Sequence, residues 1–394
     1  MEIALLGFGT VGKALFEHIE TLQKQGSPLF HVKKILVKEG EAATNPCFTT
    51  SIDTILLDPE IEIVVEMMGG FEPAFTYLSE VIKAKKHVIT SNKNLVSEYG
   101  DKLSNLAVEN KVGFLCSASV GGGIPILAEL RDLSKQEEIL EVTGIFNGTT
   151  NYILDAMTRL DLTFEEALKQ AQQAGYAEAI PTNDVQGVDL LYKARVLANV
   201  TWKMWISPAS IDRLTMHTVT SEDIEYLKRH NRTLRYLTTI TKNDDGKLSV
   251  FIQPTALQSL HPFALIQKNL NVFRFQASRS QTQSRVGPGA GGAPTAANIF
   301  RDLQRIERGD FEMIPFDATL SEADNLKAKF AYYIRASRSA LEMLPSETIE
   351  TSDANDVVIT KPLSVTKAHT YLRSMITIDP KLFACAILDE SGYQ

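Results

Sequence analysis

Cysteine is scarce in this 394-residue chain: Cys47, Cys116 and Cys385 are odd in number and far apart. They support neither a disulfide framework nor a clustered thiolate metal site, and they fit a reducing compartment. Long apolar runs are missing too. The longest, such as Ile61–Gly70 and Val120–Leu127, fall well short of the ~20 residues a helix needs to cross a bilayer. The N-terminus carries no charged leader ahead of an apolar stretch, so no signal peptide is read and the expected location is cytoplasmic. Nor is there an excess of positive charge. Lys and Arg number 40 against 48 Asp and Glu, a formal charge of −8, which argues against nucleic acid or an anionic membrane as the partner.

What remains is an ordinary globular composition, 44% hydrophobic and 22% charged, which excludes wholesale disorder and collagen-like repetition. At roughly 100–200 residues per domain, the length predicts two or three domains. In the first third, apolar runs alternate with amphipathic stretches. Glu2–Leu6, Val32–Val37, Ile61–Glu66, His87–Thr90 and Gly113–Cys116 read as strands, with helices at Thr10–Leu22 and Glu72–Ala84. That alternation predicts a parallel sheet covered by helices on both faces.

From about Glu138 the pattern changes. Ile139–Phe146 reads as a strand and Thr163–Ala174 as a helix, opened by a Thr163/Glu166 capping box and stopped by Gly175. A long apolar helix is expected over Asp184–Val200, then antiparallel strands at Leu248–Pro254 and Leu270–Ala277. Ser278–Thr295, rich in Ser, Gln and Gly, reads as a loop that closes on something, followed by a helix from Thr295 to about Arg305. The boundaries expected are 1–132 for the parallel-sheet domain, 133–310 for a second, α+β domain, and 311–394 for a small α+β segment. The helix at 295–307 is free to pack back on the first.

The strongest local motif is Gly7-Phe8-Gly9-Thr10-Val11-Gly12, between the first strand and the first helix. Gly7 permits the turn, Gly9 lets the backbone approach a pyrophosphate, and Gly12 allows close helix–strand packing. The helix N-terminus then offers free N–H groups and a positive dipole end. A tight turn with no ligand is the bland alternative. Past the second strand stands Val37-Lys38-Glu39. Lys38 is placed to neutralise a 2′-phosphate, favouring NADP; Glu39 keeps NAD open, and Lys38 could equally be a surface lysine.

A second constellation runs from Gly175 through Tyr176, Glu178, Asp184 and Asp189 to Lys193. Asp189 and Lys193, at i and i+4, share a helix face. On spacing alone they could be an exposed ion pair of little consequence. Ser117–Pro125 is a further glycine-rich turn after a strand, suited either to backbone ligation of a phosphate or cation or to plain connection.

Together and in order, these motifs resemble the homoserine dehydrogenase family. The resemblance also covers Val65–Gly70, His87–Lys93, Asn147-Gly148-Thr149-Thr150-Asn151-Tyr152-Ile153-Leu154 and Gly287–Ala297, and so nearly the whole chain. The Asn147–Leu154 and Glu178–Lys193 blocks are more specific than any glycine pattern. The family interconverts L-homoserine and L-aspartate 4-semialdehyde with NAD(P) as hydride carrier, in threonine, methionine and isoleucine biosynthesis. The resemblance implies an N-terminal Rossmann-type domain, an α+β substrate and dimerisation domain and a small ACT-like C-terminal segment, assembled at least as a homodimer.

A lysine beside the reacting oxygen can act as general acid or base. The resemblance puts that role on Lys193, with Asp189 orienting it and Lys93 as a second cation near the nicotinamide. It implies Glu178 and Asp184 as acceptors for the substrate ammonium, with Gly148, Thr149 and Tyr176 around the amino acid. Gly287 is implied near the nicotinamide. A monovalent cation such as sodium is implied on the backbone carbonyls of Val120, Gly122 and Ile124.

The chain departs from the family in two places. Ser117 stands where a cation-binding Glu is usual, and Ile180-Pro181 replaces Asp-Pro in the substrate loop. Two other readings stay open: a reductase of another small amino acid or semialdehyde, and a non-catalytic nucleotide-binding paralogue. In the C-terminal segment, Tyr332–Ala336, Asp356–Thr360, Thr366–Met375 and Phe383–Leu388 resemble the first strand, third strand, second helix and last strand of an ACT module, a βαββαβ fold that can bind an end-product amino acid. Only 22 residues separate Ile334 from Val357, and Ser337-Arg338-Ser339-Ala340 replaces the usual Asp-x-Pro-Gly turn. The expectation is a shrunken remnant without a ligand.

Overall fold

The computed structural model describes residues 1–26, 29–40, 45–311, 319–352 and 356–389. The chain forms two compact units. One comprises Met1–Ser134, Arg195–Trp205 and Pro288–Thr319; the other comprises Lys135–Ala194, Ile206–Gly287 and Leu320–Gln394.

The first unit is built on β1 (Glu2–Leu6), α1 (Thr10–Lys24), β2 (His31–Leu36), β3 (Phe48–Thr49), α2 (Asp53–Leu56), β4 (Ile61–Glu66), α3 (Ala74–Lys83), β5 (His87–Thr90), α4 (Lys93–Asn110), β6 (Phe114–Leu115) and α5 (Ile126–Leu133). The strands form a parallel sheet in the order β3-β2-β1-β4-β5-β6. β1 and β4 are near-continuous apolar runs because helices cover both their faces. One face packs on Leu15 and Ile19 of α1, the other on Leu78, Val81 and Ile82 of α3 and Leu95, Leu103 and Ala107 of α4. The helix Gly292–Glu307 also joins the α1 side, through Ala296, Ile299, Leu303 and Ile306. β1 has β2 on one side and β4 on the other, so the connections leave in opposite directions. That switch point opens a crevice at the carboxyl ends of the strands.

The second unit carries a long, mostly antiparallel sheet. Its strands run, in spatial order, Gln281–Pro288, Leu270–Ala277, β7 (Ile139–Ile145), Arg232–Lys242, Leu248–Gln258, Phe383–Leu388, Lys329–Arg335, Val357–Thr360 and Ile349–Ser352. The helices α6 (Gly148–Leu160), α7 (Phe164–Gln173), α8 (Thr182–Val185) and the start of α9 (Val188–Trp202) belong to it. α7 begins with the expected capping box, Thr163 and Glu166 each bonding the other's backbone N–H.

Ser278–Thr295 is expected to be one loop, yet Gln281–Pro288 is a strand paired to Leu270–Ala277. It lies at the sheet edge with alternate residues exposed, so polar residues suffice and no apolar alternation marks it. The helix that follows begins at Gly292, three residues before Thr295.

In the C-terminal segment, strand order is fourth, first, third, second: Phe383–Leu388, Lys329–Arg335, Val357–Thr360, Ile349–Ser352. This is a βαββαβ connectivity. Its second helix, Val365–Ile376, is full length, but its first, Arg338–Leu341, is one turn. The last strand pairs in parallel with Leu248–Gln258 (Thr255 opposite Ala386), so the segment continues the central sheet.

Candidate active site

At the carboxyl end of β1, Gly7 has φ of +99°, and a Cβ there would lie 3.1 Å from the Met67 carbonyl oxygen. A Cβ on Gly12 would come within 2.5 Å of Gly7 O. Both positions therefore require glycine. A Cβ on Gly9 would meet nothing within 4 Å, which leaves the backbone open to a large ligand. Gly9 caps α1 and no side chain takes up the first-turn N–H groups. An uncapped helix N-terminus of this kind suits a phosphate. Phe8 packs edge-on against Phe16 and Phe48, and Thr10 and Val11 open the helix. Gly292 approaches so closely that a Cβ would sit 2.9 Å from Thr10 O. Lys38 is exposed, two residues past the end of β2, with Glu39 beside it.

The loops after β4 and β5 are tied together by Glu66, a residue whose role sequence reasoning missed. It is fully buried at the end of β4. Its Oε1 accepts from the Met68 N–H at 2.7 Å and the Gly69 N–H at 3.2 Å, and its Oε2 from Thr90 Oγ1 at 2.5 Å. Burial pushes its carboxyl above the usual range, an effect these donors oppose. Asn92 caps α4 by accepting from the Leu95 N–H, and its Nδ2 donates to Gly70 O at 2.7 Å. Lys93 is the first residue of that helix, so it too stands at the carboxyl end of the sheet. The sequence marks it only as an acid closing a mostly apolar strand; its partners are set by the fold.

In the second unit, Asp189 and Lys193 form a buried pair rather than a surface one. They are 7% and 8% exposed, and Lys193 Nζ lies 2.7 Å from Asp189 Oδ2. Lys193 Nζ also donates to Phe146 O at 2.6 Å. Asn147 completes the cluster. As the cap of α6 it accepts from the Thr150 N–H, and its Nδ2 donates to Asp184 Oδ1 at 2.7 Å and Asp189 Oδ2 at 2.8 Å. One amide thus bonds both acids. Asn147 was legible as part of a motif, but its partners, 37 and 42 residues away, were not.

The remaining residues divide. Thr149 Oγ1 donates to Tyr176 O at 2.5 Å, and the Tyr176 ring meets Tyr152 at 5.2 Å. Gly148 packs so that a Cβ would lie 2.6 Å from Asn269 O. Glu178 is exposed at the surface of its loop, as is Ile180 at 78%. Gly287 lies in the edge strand Gln281–Pro288. In the first unit, the Gly122 and Ile124 carbonyls accept from Asn298 Nδ2 at 3.0 and 3.4 Å, and Val120 is buried beside them. Among the described residues, no three His, Cys, Asp or Glu side chains converge to hold a metal ion. No helix among the described residues is long and apolar enough to cross a membrane.

Comparison with known proteins matches residues 7–116 to the homoserine dehydrogenase NAD-binding domain and residues 125–304 to homoserine dehydrogenase. Homoserine dehydrogenase of Bacillus subtilis is 36% identical over 312 residues, 77% of this chain and 72% of the relative. That of Lactococcus lactis is 35% identical over 317 residues, 78% and 74% of the two chains. Among solved structures, a Thiobacillus denitrificans homoserine dehydrogenase superimposes with a TM-score of 0.85 at 25% identity, covering 99% of this chain and 98% of that one. A hyperthermophilic archaeal homoserine dehydrogenase mutant in complex with NADPH matches 78% of this chain and 98% of its own, with a TM-score of 0.67 at 26% identity. The dinucleotide-type sheet, the buried acid–lysine pair and these relatives agree: the chain belongs to the homoserine dehydrogenase family.

Proposed function

We propose that this NAD(P)-dependent oxidoreductase, which interconverts L-homoserine and L-aspartate 4-semialdehyde, moves the reaction's proton at Lys193 Nζ. The observation that carries this reading is the buried Asp189–Lys193 pair. An ammonium has three N–H donors. Phe146 O and Asp189 Oδ2 occupy two, which leaves one for the substrate oxygen. Asp189 fixes the direction of that third donor, and Asn147 fixes Asp189. When bound, the dinucleotide supplies the hydride chemistry. In reduction the Lys193 ammonium gives its third proton to the carbonyl oxygen as the carbon gains hydride; in oxidation the neutral amine, its two N–H groups held by Phe146 O and Asp189 Oδ2, takes the hydroxyl proton on its lone pair as the carbinol carbon loses hydride.

Gly7–Gly12 and the open N-terminus of α1 are the proposed pyrophosphate cradle. Lys38 is proposed to favour NADP by meeting the 2′-phosphate, with NAD as a second carrier. Lys93 is proposed as a second cation near the nicotinamide, and Gly287 as part of the same end. Asp184 and Glu178 are proposed to accept from the substrate ammonium, with Gly148, Thr149 and Tyr176 enclosing the amino acid. A cytoplasmic location and assembly at least as a homodimer complete the reading. A monovalent cation has no part in it, because the Gly122 and Ile124 carbonyls already face an amide donor. The test is absorbance at 340 nm with homoserine and each cofactor. Homoserine-dependent reduction of NADP supports the assignment; no reduction of either cofactor overturns it.

A further inference from the structure

The turn Ser117–Pro125 is shaped as a carbonyl cage. Gly121 and Gly122 have φ of +85° and +55°, Gly121 O closes the turn by accepting from the Ile124 N–H, and the Ser117, Gly122 and Ile124 carbonyls converge on one point. The turn is crowded as well: a Cβ on Gly122 would lie 2.5 Å from the Gly289 backbone. Such a cage with a carboxylate at its edge would suit a monovalent cation, whose ligands are hard oxygens. Here position 117 is a serine, and the cage is filled from within. Asn298, fully buried on the helix Gly292–Glu307, donates from Nδ2 to Ser117 O at 3.1 Å, Gly122 O at 3.0 Å and Ile124 O at 3.4 Å. One turn along the helix, Asp302 Oδ2 accepts from the Ser117 N–H at 2.9 Å. Two side chains on one helix face therefore hold both backbone groups of Ser117, and Ile299 and Leu303 anchor that helix in the sheet core.

We infer that the Asn298 amide replaces the monovalent cation, so that this chain folds and works without sodium or potassium. Asn298 and Ser117 agree in charge. An amide brings two N–H donors to the carbonyls with no net charge, so the cage needs no carboxylate from position 117, where serine supplies none; the nearby Asp302 is engaged by the Ser117 N–H, and burial pushes its carboxyl above the usual range, towards the neutral form. The other arrangement is an amide turned over, with Oδ1 joining the carbonyls as a cation ligand. It would put four oxygens against one another unless a cation sat among them, so it predicts cation dependence where ours predicts none.

The experiment compares the protein without substrate or cofactor in sodium, potassium and tetramethylammonium chloride at equal ionic strength, reading the melting temperature, and then measures initial rates in the same salts. The expected result is a melting temperature and a rate that do not change among the three. Asn298→Asp places a carboxylate against the carbonyls. It should lower the melting temperature in tetramethylammonium by ~3 °C or more, with saturable recovery on adding sodium or potassium. A saturable rise of the wild-type melting temperature with sodium or potassium, or activity lost in tetramethylammonium, overturns the inference. If Asn298→Asp does not fold, the wild-type comparison alone decides. The melting measurement is independent of the role given to Lys193.

Discussion

Asn147 Nδ2 donates to Asp189 Oδ2 at 2.8 Å, the same oxygen that Lys193 Nζ approaches at 2.7 Å. The cap of α6 thereby bonds the acid proposed to aim the lysine. Asn147→Ala removes one neutral donor shared by two carboxylates. Since hydrogen bonds to charged groups contribute ~1.5–3 kcal/mol, kcat should fall by about tenfold or more. Loss of the cap should also cost ~1 kcal/mol of stability. Kinetics at saturating homoserine, run well below the melting temperature, separates the two effects. An unchanged kcat would show that Asp189 is held without Asn147.

Lys38 tests cofactor choice. Lys38→Ala should raise KM for NADP(H) and leave that for NAD(H) almost unchanged, because only the former carries a 2′-phosphate. Equal effects on both would place Lys38 away from the ribose.

His369 makes stability depend on pH. It is fully buried, with Nε2 3.1 Å from Gln253 Oε1, and burial lowers its pKa from 6.5 to about 4. Below 6.5 the unfolded chain takes up a proton that the folded chain refuses, so stability is lost as pH falls towards the folded value and the loss levels off below it. The gap is worth ~3 kcal/mol in all. Urea unfolding of the wild type and His369→Gln at pH 7 and pH 5 reads this directly. The wild type should lose more stability than the variant over that range; equal losses would show that His369 is already protonated in the fold.

In the C-terminal segment the α-helix between the strands Lys329–Arg335 and Ile349–Ser352 is the single turn Arg338–Leu341. We therefore expect millimolar threonine neither to inhibit the enzyme nor to shift its melting temperature. Saturable inhibition abolished by truncation before Lys329 would show that the module still binds a ligand.

The elements legible in the sequence are those whose burial is uniform. β1, β4 and β5 are apolar runs sandwiched by helices, and β4, β5 and Leu270–Ala277 keep the limits read for them. The helix α4 escaped because its buried side includes Ser97, Gly100, Asp101 and Ser104, which break the apolar period. The strand Arg232–Lys242 escaped because Arg235 is buried within it, bonded to Ala264 O and Ile266 O. Motif residues that act through the backbone, such as Gly7 and Gly12, could be read from type and spacing. Glu66, Asn147 and Asn298 could not, since each draws its meaning from partners brought up by the fold.

Lys193 is the proposed site of proton transfer. The most direct measurement is kcat for homoserine oxidation by Lys193→Ala, with the dissociation constant for NADPH taken on the same preparation. If Lys193 moves the proton, kcat is lowered by at least ~100-fold with NADPH affinity nearly unchanged; turnover at the wild-type level would show that another group does so.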